Sequence, residues 1–146
     1  MRITVCTDID APLETVWAAV EPIEDHVRWM ADAERISFRT GQTRGVGTEF
    51  RCRTKVGPIR LDDEMRVTEW EPGSAMGIVH EGLVTGRGRF VLSPGGRGQT
   101  RFCWDEQLAF PWWMGGRLGE VAGKPVLTRI WRGNLRRLKA IVEERA

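Results

Sequence analysis

The last part of the chain carries an apolar stripe at helical spacing. Between positions 125 and 144 apolar side chains recur every three or four residues, at Val126, Leu127, Ile130, Trp131, Leu135, Leu138, Ile141 and Val142. This spacing places them on one face of an α-helix. The preceding segment, 112–123, contains four glycines, which favour helix poorly. We therefore predict an irregular or loosely helical lead-in followed by a firm C-terminal helix.

Most of the chain before this stripe alternates between apolar and polar positions, as half-buried β-strands do. Segments rich in glycine and proline separate the alternating runs and predict turns. Two short helices are predicted between the first two strands, one ended by Pro22 and the other over 24–30. The predicted strands are 2–8, 34–39, 48–56, 59–70, 75–80, 84–92 and 100–110.

Many antiparallel strands followed by one long helix have few packing solutions, and the simplest lays the helix across the concave face of a curved sheet. We therefore predict a single α+β domain that spans residues 1–146. A curved sheet that holds one helix tends to leave an apolar hollow between the two, and such hollows bind ligands.

The start of the first predicted helix carries a resemblance to a known family. Ala11, Pro12, Val16 and Trp17 resemble the helix start of the polyketide cyclase/dehydrase branch of the START-related (SRPBCC, helix-grip) superfamily. The segment 68–73, Thr-Glu-Trp-Glu-Pro-Gly, is similar to that family's strand end and turn before the central hairpin. The order of elements fits over nearly the whole chain.

This resemblance implies a helix-grip fold, in which a seven-stranded curved antiparallel sheet wraps around the C-terminal helix. It also implies an internal cavity, which in such families holds lipids, sterols, polyketides or other apolar molecules. Some members are aromatases or cyclases. The shared motifs are structural, so the resemblance assigns no catalytic residue to this chain.

Composition and charge narrow the range of partners. The net charge of +2 and the absence of a basic block argue against nucleic acid. The N-terminus has no apolar run of the length of a secretion signal, and no stretch approaches the roughly 20 apolar residues of a membrane span. We therefore predict a cytoplasmic protein without an integral membrane segment, either a monomer or a homodimer.

The three cysteines, Cys6, Cys52 and Cys103, are odd in number, widely spaced and each inside a predicted strand. This pattern favours free, buried or half-buried thiols over a disulfide framework or a zinc site. Neither histidine stands at a spacing typical of metal ligands. We predict no metal and no cofactor.

Two acidic residues interrupt the apolar sides of otherwise regular strands. Asp63 is in phase with the apolar positions of 59–67, and Glu106 with those of 102–108. If the phase holds, both carboxyl groups face the concave side of the sheet, where each would bind a ligand hydroxyl or transfer a proton. The alternative is structural, namely a bulge that turns the side chain outward or a buried ion pair.

The two histidines are further candidates for chemistry. His80 is in phase with Met76 and Ile78 and would act as a base in the cavity, although a structural role in the core or at a strand end is favoured. His26 would line the cavity mouth, and here a surface position on a helix is favoured. The catalytic candidates are therefore Asp63, Glu106 and His80.

The segment 112–116, Trp-Trp-Met-Gly-Gly, has three interpretations. One indole closes the cavity mouth and stacks on a ligand ring, or the segment is a hydrophobic hinge that packs the helix start on the sheet. The third and weakest interpretation is an exposed patch, 112–114, that binds another protein.

The sequence favours binding of a small apolar or aromatic molecule, lipid- or polyketide-like, in an internal cavity between the sheet and the C-terminal helix. The alternative is a polyketide cyclase, aromatase or dehydratase that uses pocket carboxylates or histidine as acid and base. The predicted cavity walls are Phe50, Leu61, Met65, Ile78, Phe90, Trp104, Leu108, Trp113, Leu118 and Ile130.

Overall fold

The computed structural model describes all residues from 1 to 146. Seven strands form one antiparallel sheet, as predicted. They are β1 (Arg2–Ile9), β2 (Ala33–Phe38), β3 (Glu49–Val56), β4 (Ile59–Glu71), β5 (Ala75–Glu81), β6 (Thr85–Pro94) and β7 (Thr100–Ala109). Their order in the sheet is β1-β7-β6-β5-β4-β3-β2, so consecutive strands from β2 to β7 are neighbours and β1 pairs with β7 at one edge.

Two short helices follow β1, as predicted, and carry the chain from one edge of the sheet to the other. They are α1 (Leu13–Val20) and a 3₁₀ helix (Ile23–Arg28), which we call the roof helix. Short 3₁₀ turns also occur at Gly96–Gly98 and Trp112–Met114. The long terminal helix is α2 (Gly116–Arg145), and it contains Pro125. No helix is both long and apolar enough to cross a bilayer.

The predicted irregular lead-in is present but shorter than expected: a 3₁₀ turn and two glycines of left-handed φ, Gly115 and Gly116, precede a helix that continues through Gly119 and Gly123. Its glycines have a packing role that outweighs their low helix propensity. A Cβ on Gly119 would collide with the carbonyl group of Met114, and a Cβ on Gly123 would approach the Phe110 ring to 3.2 Å. The glycines thus let the first turns of the helix lie close to the chain that leads into it.

The two halves of α2 are buried to very different degrees. The C-terminal half buries Trp131, Leu135, Leu138 and Val142 in the main core. Residues 116–130 include no buried residue. The helix packs mainly on β1, so the concave face of the central strands is left for other elements to cover.

A polar network fixes α2 to the loop after the roof helix. Asp32 accepts hydrogen bonds from Trp131 Nε1 at 3.0 Å and from Asn134 Nδ2 at 2.8 Å. The Asn134 side-chain oxygen in turn accepts from the backbone N–H of Ala31 at 2.9 Å. Asn134 is fully buried, so these bonds satisfy polar groups that would otherwise be costly.

The cysteines correct one prediction. Cys6 and Cys103 face each other in the register of β1 and β7 and form a disulfide, and only Cys52 is a free, buried thiol. The two disulfide cysteines are 97 residues apart in sequence. Only the pairing of the first strand with the last brings them together, and directly opposed residues of antiparallel strands are close enough to bond.

Candidate functional site

A cavity of about 110 Å³ lies between the concave face of the sheet and the roof helix. Eleven of its 18 lining residues are hydrophobic, and they come from the roof helix, the loop after it and strands β2 to β7. No residue of α2 lines it. The predicted location between the sheet and the C-terminal helix is therefore wrong, because Trp131 of α2 stacks on Trp104, with ring centroids 4.7 Å apart, and fills that space.

The predicted wall residues divide into two groups. Five of them line the cavity, namely Phe50, Met65, Ile78, Phe90 and Trp104. The other five, Leu61, Leu108, Trp113, Leu118 and Ile130, lie outside it.

The five residues of the second group do not line the cavity because they lie on α2, in the turn before it, or near the end of a strand. Leu108 is buried in the core, and Leu61 and Ile130 are half-buried against it. Trp113 and Leu118 are 51% and 82% exposed, because the N-terminal half of α2 does not cover the cavity. Trp113 thus does not close the cavity mouth.

Three charged residues meet in the cavity wall. His80 Nε2 is 2.8 Å from Glu106 Oε2, and its Nδ1 is 3.4 Å from Asp63 Oδ2. The second oxygen of Glu106 accepts a hydrogen bond from Trp104 Nε1 at 3.0 Å. We call Asp63, His80 and Glu106 the charged cluster. It brings together all three residues that the sequence offered as catalytic candidates.

The strand register explains this meeting. His80 on β5 lies opposite Met65 on β4, and Asp63 points to the same side two residues away. Strand β6 separates β5 from β7, and its Gly88 lies opposite Glu106. A Cβ on Gly88 would overlap the Glu106 carboxyl group, so only glycine leaves room for that group to cross β6 toward His80.

The charged cluster holds a cationic imidazole. Burial lowers the pKa of His80, but the hydrogen bonds and charges of Asp63 and Glu106 outweigh that effect and raise it to about 10. His80 is therefore protonated at neutral pH, and both ring nitrogens carry a hydrogen. Nδ1 is buried, and its nearest acceptor is Asp63 Oδ2 at 3.4 Å, which is too far for a strong hydrogen bond. The wall thus presents an N–H group that is paired only loosely with the Asp63 carboxyl group.

The other histidine lies in the roof of the cavity. His26 is 5% exposed, which corrects the favoured surface position. Its Nε2 is 2.7 Å from the carbonyl oxygen of Val20, which can only accept, so Nε2 carries the hydrogen. Its ring packs against Trp29 and Phe90, at centroid distances of 5.3 and 5.7 Å. Burial lowers the pKa of His26 to about 4, so this imidazole is neutral.

Several lining residues were not among the predicted walls or catalytic candidates, and three of them, Asp32, Cys52 and Thr54, are polar or carry a thiol. Asp32 reaches the cavity from the loop after the roof helix, a position that no periodicity marks. Cys52 lies in the wall of β3, and burial raises the pKa of its thiol to about 12, so it is not a nucleophile at neutral pH. Thr54 donates its hydroxyl hydrogen to Cys52 Sγ at 3.8 Å. Alternation along β3 could have indicated Cys52 and Thr54, which are in phase with Phe50.

No group of three or more His, Cys, Asp or Glu side chains is arranged to hold a metal ion. In the charged cluster, Nε2 of His80 is bound to Glu106, so it offers no lone pair to a metal. The residues that line the cavity can form hydrogen bonds, transfer protons and make apolar contacts with a ligand.

Known proteins resemble this chain over almost its full length. A family model described as polyketide cyclase/dehydrase and lipid transport matches residues 1–143. No curated protein matches the sequence.

Solved structures share the fold at low identity. TTHA0849 from Thermus thermophilus is 18% identical with a TM-score of 0.81, over 100% of this chain and 99% of that one. A conserved protein from Geobacillus kaustophilus is 12% identical with a TM-score of 0.78, over 99% and 96% of the two chains. DR_A0006 from Deinococcus radiodurans is 12% identical with a TM-score of 0.74, over 100% and 99%. At these identities the likeness shows the fold alone.

Proposed function

The chain belongs to the polyketide cyclase/dehydrase and lipid-transport family, and we propose that it binds a small apolar or aromatic molecule, lipid- or polyketide-like, beneath the roof helix. The observation that carries this proposal is a mostly apolar cavity whose wall includes a loosely paired hydrogen-bond donor, the N–H at Nδ1 of His80. Binding sites of small molecules commonly combine an apolar lining with a few polar groups that fix orientation.

The size of the cavity limits the part of the ligand that it encloses. An apolar protein cavity of about 150 Å³ holds a benzene molecule. A cavity of about 110 Å³ is smaller than that, so it encloses at most a single ring or a short alkyl segment. The rest of a longer lipid or polyketide would extend through the mouth of the cavity.

The charged cluster favours a ligand with an oxygen atom. The buried N–H at Nδ1 of His80 has only a long contact to Asp63, and a ligand oxygen would give it a shorter hydrogen bond. Asp63 Oδ2, at 3.4 Å from the same nitrogen, stands ready to accept a hydrogen. A hydroxyl group would both accept from His80 and donate to Asp63, so we propose a phenol, an enol or an alcohol at this end of the ligand.

This proposal is tested with phenol and toluene, which share a shape and differ in the hydroxyl group. We expect calorimetric titration to show tighter binding of phenol, and we expect Ile78→Trp, which fills the cavity, to abolish it. The matched control is Ile59→Trp, since Ile59 is 52% exposed and outside the cavity. Circular dichroism would check that both variants fold. Failure of the wild-type protein to bind either probe would contradict the proposal.

Catalysis by a cyclase, aromatase or dehydratase is a second candidate, favoured by the convergence of three titratable groups on one cavity. Asp63 would remove a proton from a carbon next to a carbonyl group, and the His80 imidazolium would protonate the leaving hydroxyl group. The carbon–hydrogen and carbon–oxygen bonds of the substrate break, a carbon–carbon double bond forms, and the hydroxyl group leaves as water with the His80 proton. The proton taken up by Asp63 then returns to His80, which lies 3.4 Å away, and the cluster is restored.

Dehydration of 4-hydroxybutan-2-one to an absorbing enone provides a direct assay of this second candidate. We expect Asp63→Asn to lower turnover by about 10²-fold or more, the usual contribution of a positioned acid or base, while affinity largely survives. Glu106→Gln would act through the position and charge of His80. Unchanged turnover in both variants would remove these carboxyl groups from the mechanism.

We also propose that the protein works in the cytoplasm, as a monomer or homodimer. The Cys6–Cys103 disulfide would be reduced there. The pairing of β1 with β7 would survive, because it extends over every residue from Arg2 to Ile9.

A further inference from the structure

The N-terminal half of α2 and the turn before it expose a surface of large apolar side chains. We call this the apolar surface and define it by Trp112, Trp113, Leu118, Val121 and Val126, which are 87%, 51%, 82%, 74% and 50% exposed. Extended apolar patches on the surface of a protein commonly mark interaction sites.

The geometry of α2 explains why these side chains face outward. Successive residues are about 100° apart around a helix. Leu118 therefore lies on the side opposite to Leu138, which packs in the core, and Val121 lies beside Leu118. On the inner side of the same turns, Glu120 pairs with the N-terminal amino group at 3.1 Å and accepts from the Phe110 N–H. In these first turns Glu120 thus faces the protein and Leu118 and Val121 face solvent.

The outer side of α2 changes from apolar to basic along its length. After Leu118 and Val121, the same side carries Arg129, Arg132 and Arg136, all exposed. Between positions 116 and 142 the helix has seven basic residues and one acidic residue, Glu120, which is already paired with the amino terminus. The apolar surface is therefore followed along the helix by a stripe of positive charge, and the remaining acids of the helix, Glu143 and Glu144, come only after it, where Glu143 pairs with Lys139.

We propose that the outer side of α2 docks on the surface of a bilayer that contains anionic lipids. Trp112, Trp113 and Leu118 would enter the boundary between head groups and acyl chains, where indoles are favoured. Arg129, Arg132 and Arg136 would contact lipid phosphates.

Charge complementarity favours this partner over a second copy of the chain. Two copies related by a twofold axis would bring the same cationic stripe to both sides of one interface. An anionic bilayer supplies an apolar layer and a negative layer, which match the two parts of the outer side of α2. This proposal does not depend on what the cavity binds.

The test is co-sedimentation of the full chain with two kinds of vesicle, one of phosphatidylcholine alone and one of equal parts phosphatidylcholine and phosphatidylglycerol. We expect binding to the anionic vesicles and little to the neutral ones, and a decrease as salt is raised. The triple variant Arg129→Gln/Arg132→Gln/Arg136→Gln should bind about 100-fold more weakly. The pair Leu118→Ser/Val121→Ser should weaken binding at least roughly tenfold.

Control variants remove the same number of charges, or one exposed valine, elsewhere on the surface. The charge control is the triple variant Arg35→Gln/Arg39→Gln/Arg53→Gln, whose residues are exposed on β2, the turn after it and β3. The apolar control is Val46→Ser, which removes a side chain that is 59% exposed. Both should bind like the wild type. Equal losses in the controls and the α2 variants, or no binding to anionic vesicles, would overturn the proposal. So would sedimentation analysis showing a dimer that Leu118→Ser/Val121→Ser dissociates, because a second copy would then cover the surface.

Discussion

The chain has two histidines, both in the wall of one cavity. Their environments make one imidazole neutral and the other cationic at neutral pH. His26 and His80 are buried almost equally, with 5% and 7% exposure. His26 meets one neutral carbonyl group and aromatic rings, and burial lowers its pKa to about 4. Burial also acts to lower the pKa of His80, but two carboxyl groups raise it to about 10. Burial alone therefore does not decide the charge, and the identity of the partners does.

This difference divides the cavity into a neutral roof and a charged wall. The roof offers His26 and, beside it, Phe90 to the apolar part of a ligand. The wall offers the N–H of His80 and the Asp63 carboxyl group to a polar end. A ligand with an apolar body and one hydroxyl group would have a single favourable orientation.

The largest expected effect is a fall in the pKa of His80 when its two carboxylate partners are replaced by neutral amides, so that, like His26, it has only neutral partners. In the double variant Asp63→Asn/Glu106→Gln the charges that raise the pKa of His80 are gone, while its burial remains. We expect the pKa of His80 to fall from about 10 to below its ordinary value of 6.5. Nuclear magnetic resonance titration of the two histidine Cε1 protons would measure it, with His26→Gln to assign the signals. A pKa that stays above 8 would show that other groups stabilise the imidazolium.

Replacing each histidine with leucine should lower the free energy of unfolding by different amounts, because the two side chains have different partners. His80→Leu leaves the Asp63 and Glu106 carboxyl groups near each other without a cation, and we expect a loss of about 3–5 kcal/mol at pH 7. His26→Leu leaves the Val20 carbonyl group unsatisfied, which costs about 1–3 kcal/mol. Urea denaturation monitored by circular dichroism measures both. Similar losses would mean that the charged cluster contributes no more than an ordinary buried hydrogen bond.

The same contrast predicts how stability depends on pH. The pKa of His80 is raised from 6.5 to about 10 in the folded protein, so its contribution is complete below pH 6.5 and is lost as pH rises toward 10. The pKa of His26 is lowered from 6.5 to about 4, so its contribution is complete above pH 6.5 and is lost as pH falls toward 4. Each slope has a limit of about 1.4 kcal/mol per pH unit.

Urea denaturation at a series of pH values tests both slopes. Between pH 7 and 9 we expect the wild type to lose about 2 kcal/mol through His80. The variant His80→Leu should lose the alkaline slope and keep the acidic one, and His26→Leu should do the reverse. An alkaline slope that persists without His80 would assign it to another group.

Much of the fold and part of the site follow from periodicity in the sequence. Alternation identified the seven strands, and it put Asp63, His80 and Glu106 on the side of the sheet where the cavity lies. These features depend on neighbours a few residues away, which is the range over which a strand repeats its pattern.

The features that sequence reasoning missed depend on contacts between distant segments. The disulfide joins the first strand to the last, and the cavity is covered by the roof helix rather than by α2. The apolar residues of 118–126 fit a buried helix face by composition, yet Glu120 and the glycines occupy the inner side of those turns. Residue types alone do not say which side of a helix faces the sheet.

The smallest expected effect concerns Gly88, which lies on the strand between those of His80 and Glu106 and carries no titratable group. In Gly88→Ala the new Cβ would overlap the Glu106 carboxyl group, and that group cannot move freely because it is bound to His80 and Trp104. We expect a loss of about 1–3 kcal/mol, typical of overpacking a filled site. A lower pKa of His80 should accompany it, since the carboxyl group is pushed away. The control is Gly41→Ala, because a Cβ on Gly41 meets no atom within 4 Å. If the Gly88 variant matches this control, the carboxyl group is less firmly held than its two hydrogen bonds indicate, and the contrast between the histidines rests on Asp63 instead.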